Sequence, residues 1–274
     1  MSEYEALVAG THPDDERIAT VRLDAPDRNN AIDRRMLAEL ADAVIAADRD
    51  DGVGAVLLGS TAEPFCVGAS LEELADLPWE EGARWMTAYF EALDLLRETG
   101  KPVVAAVEGT CVAGGNELVS ACDLIVAGES ARFGQPEVGV GSTAAGGAVQ
   151  LLPLTIGEKR ARDLLLTGRL LDAPEARDIG LISRVVEDGT AEARAGEILS
   201  GVLDTKSPQA YRTIKAMLKP WTNFGLLGRE MARDLTARTW DSPEFRERAA
   251  AFLAREDRTP RPFHGTRPRD LDDG

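Results

Sequence analysis

Polar and apolar positions alternate in a readable order from the start of the chain. Arg17 to Leu23 (RIATVRL) alternates with period two and predicts a strand. Asp24 to Asn30 reads as a turn, Asp33 as a helix cap, and Met36, Leu37, Leu40, Ala43, Val44 and Ala47 then recur at helical spacing. Asp48-Arg49-Asp50-Asp51-Gly52 stops that helix, and Val53 to Leu58 predicts a second strand, parallel to the first. Gly59 to Leu71 is a loop with a short apolar stroke, Phe65-Cys66-Val67, and a tight turn, Gly68-Ala69-Ser70. A helical start at Leu71–Leu77 is interrupted by Pro78, and Trp79 to Thr99 is a long amphipathic helix with Trp85, Met86, Phe90, Leu93 and Leu96 on its apolar side.

The stretch from Lys101 to Gly147 is the centre of the pattern. Pro102 to Val107 is an apolar, β-branched run of buried-strand type, ending at Glu108-Gly109. Gly114-Gly115 opens a short helical pattern through Asn116, Glu117, Leu118 and Val119. A further apolar run, Leu124 to Ala127, precedes Phe133-Gly134-Gln135-Pro136-Glu137. Beyond Gly147 helices predominate: 148–155 (limited by Pro153), 158–167, 173–179, 191–203, 208–218, 224–239 and 243–255, with one short strand at 181–186. The order of elements is that of an α/β protein. The tail from Asp257 to Gly274, rich in Pro, Arg and Asp, reads as mobile or draped over a neighbour.

Composition narrows the function classes. At 274 residues the chain can bury a large core, in one main domain with a smaller appendage. A net charge of −16 argues against nucleic acid or an anionic membrane as a partner. Lys101, Lys159, Lys206, Lys215 and Lys219 are the only lysines, so arginine supplies most of the 31 basic side chains. A strongly acidic, lysine-poor surface suits solubility at high salt, and a halophilic source is the corresponding hypothesis. Cys66, Cys111 and Cys122 lack metal-ligand spacing and read as buried thiols of a reducing, cytoplasmic compartment. With only His12 and His264 available, a Ser-His-Asp triad or a histidine metal site is not expected. Asp14-Asp15-Glu16 and Asp270–Asp273 read as solvated charge. The first ten residues show no signal-peptide pattern, and no apolar run reaches about 18 residues.

Two features carry candidate chemistry. Glu117 and Glu137 each follow a glycine-containing bend beside apolar segments, so the chain can bring both carboxylates to one partly dry cleft. Each can equally be a solvated acid of a loop or helix start. Gly68-Ala69 and Gly114-Gly115 are glycine turns whose exposed backbone N–H groups could converge as an oxyanion hole, or they serve only as tight turns. Phosphate loops fit poorly: Gly139 to Ala144 follows Pro136-Glu137 instead of a first strand, and no P-loop pattern is present.

Phe65-Cys66-Val67-Gly68-Ala69-Ser70, Gly114-Gly115-Asn116-Glu117-Leu118 and Phe133-Gly134-Gln135-Pro136-Glu137 together resemble the signatures of the enoyl-CoA hydratase/isomerase (crotonase) superfamily. Arg28-Asn29-Asn30-Ala31, Ala121-Cys122-Asp123-Leu124, Leu166-Thr167-Gly168-Arg169 and Ala176 through Ile182 extend the resemblance over about residues 4–255. It implies a spiral of ββα units (1–200) and a C-terminal helical trimerisation region with a tail (201–274). It also implies an acyl-CoA thioester substrate, no cofactor beyond that coenzyme A, and a homotrimer or dimer of trimers.

The resemblance further implies roles. The thioester carbonyl would be held by the N–H groups of Ala69 and Gly114. Water would add across the 2,3-double bond of an enoyl-CoA, with Glu117 as base toward water and Glu137 as acid at the α-carbon. Arg28, Ala31, Gly68, Ser70, Leu71, Gly115 and Gly141 would contact substrate. Three departures stand out. Ser70 occupies a position where the family commonly has Asp, and Glu72 one where it often has a CoA-contacting Lys. That task would then fall to Arg28, or to Arg255 and Arg258 of a neighbour. The segment Val140 to Ala148 looks closer to family members that hydrolyse cyclic oxoacyl-CoA rings, although Glu137 is retained. A ring-opening hydrolase and a Δ3,Δ2-isomerase are the alternatives; a non-enzymatic RNA-binding relative is disfavoured by the charge and the paired glutamates.

Overall fold

The structure is a computed structural model and describes residues 4–263. His264 and the acidic segment Asp270–Asp273 lie outside the described residues.

The chain opens with an antiparallel pair, β1 (Leu7–His12) and β2 (Asp15–Leu23), then a 3-10 turn at Pro26–Arg28 and helix α1 (Arg34–Arg49). The Asp33 carboxylate accepts from the Met36 N–H at 2.8 Å, the expected cap, worth about 1 kcal/mol. Strand β3 (Ala55–Ser60), helices α2 (Leu71–Leu74) and α3 (Trp79–Glu98), and strands β4 (Val103–Val107) and β5 (Thr110–Val112) follow. Next come α4 (Gly114–Val119), β6 (Leu124–Gly128), β7 (Arg132–Gly134), a 3-10 turn at Pro136–Val140, α5 (Ala148–Thr155) and α6 (Glu158–Thr167). The last elements are β8 (Leu170–Asp172), α7 (Ala173–Asp178), β9 (Arg184–Val186), α8 (Ala191–Thr205), α9 (Pro208–Gly225), α10 (Arg229–Trp240) and α11 (Pro243–Leu253).

Six strands form the main sheet in the order β1-β2-β3-β4-β6-β9, parallel from β2 onward. Successive side chains of a strand face opposite sides, so β3 and β4 feed two cores. Val56, Leu58, Val103, Ala105 and Val107 face α1 and α3, whereas Ala55, Leu57, Val104 and Ala106 face Ala191, Ala195 and Leu199 of α8. Burial on both faces explains why these strands read as unbroken apolar runs.

A second sheet, β5-β7-β8, grows from the ends of the first. After the Glu108-Gly109 bend β4 continues as β5, and β6 continues as β7 after its own turn. The two chain segments therefore pair twice, β4 with β6 and β5 with β7, always in parallel. This is one turn of a ββα spiral repeating beside the next. Cys66 joins the same layer through a parallel bridge to Cys111, which in turn pairs with Phe133. Cys66, Cys111 and Phe133 are thus equivalent points on three successive turns.

Several boundaries differ from the sequence pattern. β1, β5, β7 and β8 carry no long apolar run and are strands because neighbours supply their partners. The strand read at 181–186 is confined to Arg184–Val186, because Leu181 and Ile182 belong to the turn after α7, where both N–H groups bond to the Ala176 carbonyl. Helix α9 runs on to Gly225 through Pro220. The described part of the tail lies on its own chain: Arg258 donates to the Gly139 carbonyl at 2.7 Å, and Arg261 pairs with Glu247. No helix among the described residues is long and apolar enough to cross a membrane.

Candidate active site

The spiral register builds the site. Three residues beyond Cys66 lies Ala69, and three beyond Cys111 lies Gly114, so the two glycine turns end side by side. Ala69 also bridges to Ile32 in parallel fashion: the Ile32 N–H donates to the Gly68 carbonyl and the Ser70 N–H to the Ile32 carbonyl, both at 2.8 Å. That ladder uses the residues on either side of Ala69 and leaves the Ala69 N–H outside it. Gly114 is the first residue of α4, so its N–H has no acceptor within the helix. The two backbones touch. A Cβ placed on Gly68 would stand 2.6 Å from the Ala113 Cβ and 3.1 Å from the Gly114 nitrogen, and one on Gly114 would stand 3.5 Å from the Ala69 nitrogen.

This approach is held by strain. Ala113 adopts φ 53°, ψ −130°, a region that costs a non-glycine residue about 1–3 kcal/mol. It is fixed there by the bond from its N–H to the Gly134 carbonyl at 2.9 Å, one spiral turn away. Gly115 is equally constrained, since a Cβ would meet the Cys66 carbonyl oxygen at 2.6 Å. Asn30 braces the other turn: its amide oxygen accepts from the Ala25 N–H, and its NH2 donates to Ser60 Oγ and to the Pro64 and Phe65 carbonyls.

Glu117 follows Gly114 by less than one helical turn and is buried, with 5% exposure. One carboxylate oxygen accepts from the Ala148 N–H at 2.9 Å. Burial pushes its pKa up to about 7, against the pull of the Ala148 and Gly146 N–H groups and the charge of Arg97. Glu137 sits in the 3-10 turn after β7, half-buried. Its carboxyl is raised well above the ordinary value by burial and by the negative charge of Glu117. With the Gln135 amide turned so that its NH2 faces Glu137, it donates to both carboxylate oxygens, at 2.8 and 3.2 Å. Its oxygen then accepts from Asn116 Nδ2 at 3.2 Å, so Asn116, Gln135 and Glu137 form one line.

The remaining expected residues fall around this centre. Ser70 caps α2, its hydroxyl accepting from the Glu73 N–H, and Leu71 is the first residue of that helix. Ala31 follows the two left-handed residues Asn29 and Asn30. Arg28 is ion-paired with Asp33, and its buried Nε has no partner among the described residues. Gly141 ends the 3-10 turn of Glu137 in the left-handed region at φ 74°, packed against Phe245 and Arg248 of α11. Arg258 donates to the Gly139 carbonyl of its own chain, which places it beside the segment after Glu137.

Two residues absent from the expected set complete the centre. The Tyr89 hydroxyl donates to the Gly114 carbonyl at 2.5 Å, and a Cβ on Gly146 would strike both the Tyr89 ring and Glu117. Arg97 lines the same cavity of about 910 Å³ as Glu117. Both belong to α3. Tyr89 is hidden in its apolar stripe, four positions beyond Trp85. Arg97 is a charge on that same stripe, four beyond Leu93, and this is the signal that could have marked it. A smaller cavity of about 330 Å³ opens on Glu137, Ser142, Thr143 and Leu165.

The sequence model of the enoyl-CoA hydratase/isomerase family matches residues 14–261. This chain belongs to that family. It is 32% identical over 252 residues to a protein of Rhizobium meliloti named "Probable enoyl-CoA hydratase", covering 92% of this chain and 96% of that one. It is 34% identical over 203 residues to the crotonyl-CoA hydratase of Syntrophomonas wolfei, covering 74% and 78% respectively. Among solved structures, an enoyl-CoA hydratase/isomerase from Xanthobacter autotrophicus superposes with a TM-score of 0.83 at 28% identity, over 93% of this chain and 98% of that chain. The crotonase fold and its C-terminal helices are thereby shared with the family.

Proposed function

We propose that the protein is a hydratase acting on 2,3-enoyl-CoA thioesters. The observation that carries the reading is the pairing of Glu117 and Glu137, two carboxyl groups of unequal environment beside the adjoining Ala69 and Gly114 turns. In the reaction, the Glu117 carboxylate takes a proton from water as the water oxygen bonds to the β-carbon. The π electrons pass through the α-carbon to the thioester oxygen, which becomes an enolate. The Ala69 and Gly114 N–H groups receive that charge; losing one such donor typically costs about 2.7–4 kcal/mol. Collapse of the enolate takes a proton from Glu137 at the α-carbon. The net change is one water added, and the two carboxyls have exchanged protonation states. The upward displacement of Glu137 suits an acid, and the position of Glu117 near 7 suits a base at neutral pH. Apart from the coenzyme A of the substrate, this chemistry draws on no cofactor.

The test is crotonyl-CoA hydration followed by loss of enoyl absorbance. Glu117→Gln and Glu137→Gln should each slow it by orders of magnitude with the protein still folded. Near-normal rates in both variants would overturn the assignment. Product analysis on linear, cyclic and ring-derived enoyl-CoAs separates hydration from ring opening and double-bond migration.

The same reading extends to assembly and setting. Trp221, Phe224, Leu227, Met231 and Leu235 leave an apolar face of α9, α10 and the 3-10 turn between them exposed, and a second and third copy of the chain are its proposed cover. Light scattering of the purified protein would give a monomer mass if this is wrong. A cytoplasmic, halophilic setting is proposed from the thiols and the acidic surface.

A further inference from the structure

Arg97 is the one guanidinium of α3 that points into the fold, with a side chain 13% exposed. Its Nη1 meets Asp94 Oδ1 at 3.3 Å, and the other oxygen of Asp94 is held by Arg229 of α10 at 2.5 Å. One carboxylate thus serves two cations. The second guanidinium nitrogen of Arg97 lies 3.3 Å from where a Gly147 Cβ would be. Gly147 precedes Ala148, whose N–H holds Glu117. Arg97 therefore stands against the segment that grips the Glu117 carboxylate and faces the same cavity.

We propose that Arg97 is a positioning residue of the reaction: its buried charge, only half-compensated by Asp94, keeps Glu117 as the carboxylate while Glu137 carries the proton. This rests on the hydratase reading above. Two carboxyls on neighbouring spiral turns, Glu117 buried and Glu137 half-buried, cannot both ionise freely, and burial alone does not place the shared proton on Glu137. A cation on the Glu117 side removes that ambiguity. The shared Asp94 also ties the device to α10, so docking of that helix sets how much of the Arg97 charge is free to act.

The groups facing Glu117 are few. Helix α3 brings Tyr89, Asp94 and Arg97; the 3-10 turn brings Glu137; and the α5 start brings only N–H groups. Cys66 beneath α4 is a neutral thiol, pushed up to about 12 by burial. The cavity wall also carries Glu98 paired with Lys219, Asp123 paired with Lys215, and Glu230.

Two substitutions of opposite sign test the proposal. In Arg97→Met, Glu117 loses its cation, so the acidic limb of kcat/KM for crotonyl-CoA should move to higher pH by about one pH unit. In Asp94→Asn, Arg97 loses its counter-charge, so the limb should move to lower pH. Arg97→Lys, which keeps the charge, should hold the limb near the wild-type position and decides the matter, together with Asp94→Asn, if Arg97→Met does not fold. The Glu117 carboxyl is also titrated directly by carbon NMR in a Glu137→Gln background, with and without the Arg97 and Asp94 changes. That readout needs no turnover, so it stands even if the wild type hydrates no enoyl-CoA. Opposite shifts in the two variants support the proposal. Uniform rate losses with an unmoved limb and an unmoved NMR titration, or shifts of the same sign, overturn it.

Discussion

Ala69 and Gly114 occupy the same position on successive turns of the spiral, each three residues beyond one member of the Cys66–Cys111 bridge. Their N–H groups are neighbours because the register of the second sheet makes them so, not because either loop is shaped alone. Gly68 is the hinge of this relationship, at φ 100° with the Ala113 methyl directly above it. Gly68→Ala therefore combines a disfavoured backbone with a 2.6 Å Cβ–Cβ approach. It should push the two N–H groups apart and lower kcat/KM about 10²–10³-fold, the effect of losing one donor. Steady-state kinetics with crotonyl-CoA on protein of unchanged far-UV circular dichroism checks this; an unaltered rate would mean the two turns do not act together.

The burial of Glu117 has a price in stability with a defined sign. Its native pKa, raised from 4.5 to about 7, means that the native state holds a proton more tightly than the unfolded chain. The protein is therefore relatively favoured below about pH 4.5 and loses this contribution as pH rises through 7. Glu117→Gln removes the loss. The variant should be more stable than wild type above pH 8 by about 3 kcal/mol, with the gap closing toward pH 5. Urea midpoints at pH 5 and pH 8.5 measure it. A variant equally or less stable at both values contradicts a strained, buried carboxylate.

How much of this was legible in the sequence follows from what each residue depends on. The β3 and β4 runs and the stripes of α1 and α3 were readable because burial on two faces or one leaves a local hydrophobic period. β5, β7 and β8 are three residues each and stay invisible, since pairing alone defines them. The glutamates could be named as candidates, but only the register of Cys66, Cys111 and Phe133 brings their turns together. Tyr89 and Arg97 escaped because their contacts are made across the fold, to Gly114 and to the Gly147–Ala148 segment.

Segment 141–147, within the stretch Val140 to Ala148 read above as a departure from the common pattern, is clamped by α10. Trp240 Nε1 donates to Ser142 Oγ at 2.7 Å, and the hydroxyls of Thr143 and Thr236 are 2.5 Å apart. Ser142→Ala leaves the buried indole N–H without that partner, which costs about 1–3 kcal/mol. Because Gly146 of this segment lies against Tyr89 and Glu117, loosening it should alter acyl selectivity more than the rate on crotonyl-CoA. The ratio of kcat/KM for a C4 and a longer enoyl-CoA is the measurement; a lowered Tm with an unchanged ratio would make the clamp structural only.

The last prediction concerns salt. A net charge of −16 is self-repulsive, and the repulsion acts on the compact state more than on the expanded one. Many arginines are already engaged: Arg17 with Asp15 and Asp204, Arg169 with Asp163 and Glu175. Added salt weakens such exposed pairs, each worth at most about 1 kcal/mol, but it weakens the long-range excess of negative charge as well. For a chain this acidic the second effect should win. The Tm should rise by several degrees between 0.1 and 2 M KCl, and dilution into salt-free buffer should open the fold reversibly. Sodium sulfate would raise Tm by exclusion from the surface whatever the charge, so KCl is the discriminating salt. A Tm that is flat or falls in KCl would show that the surface pairs outweigh the net charge, and the proposal of a halophilic source would fall with it.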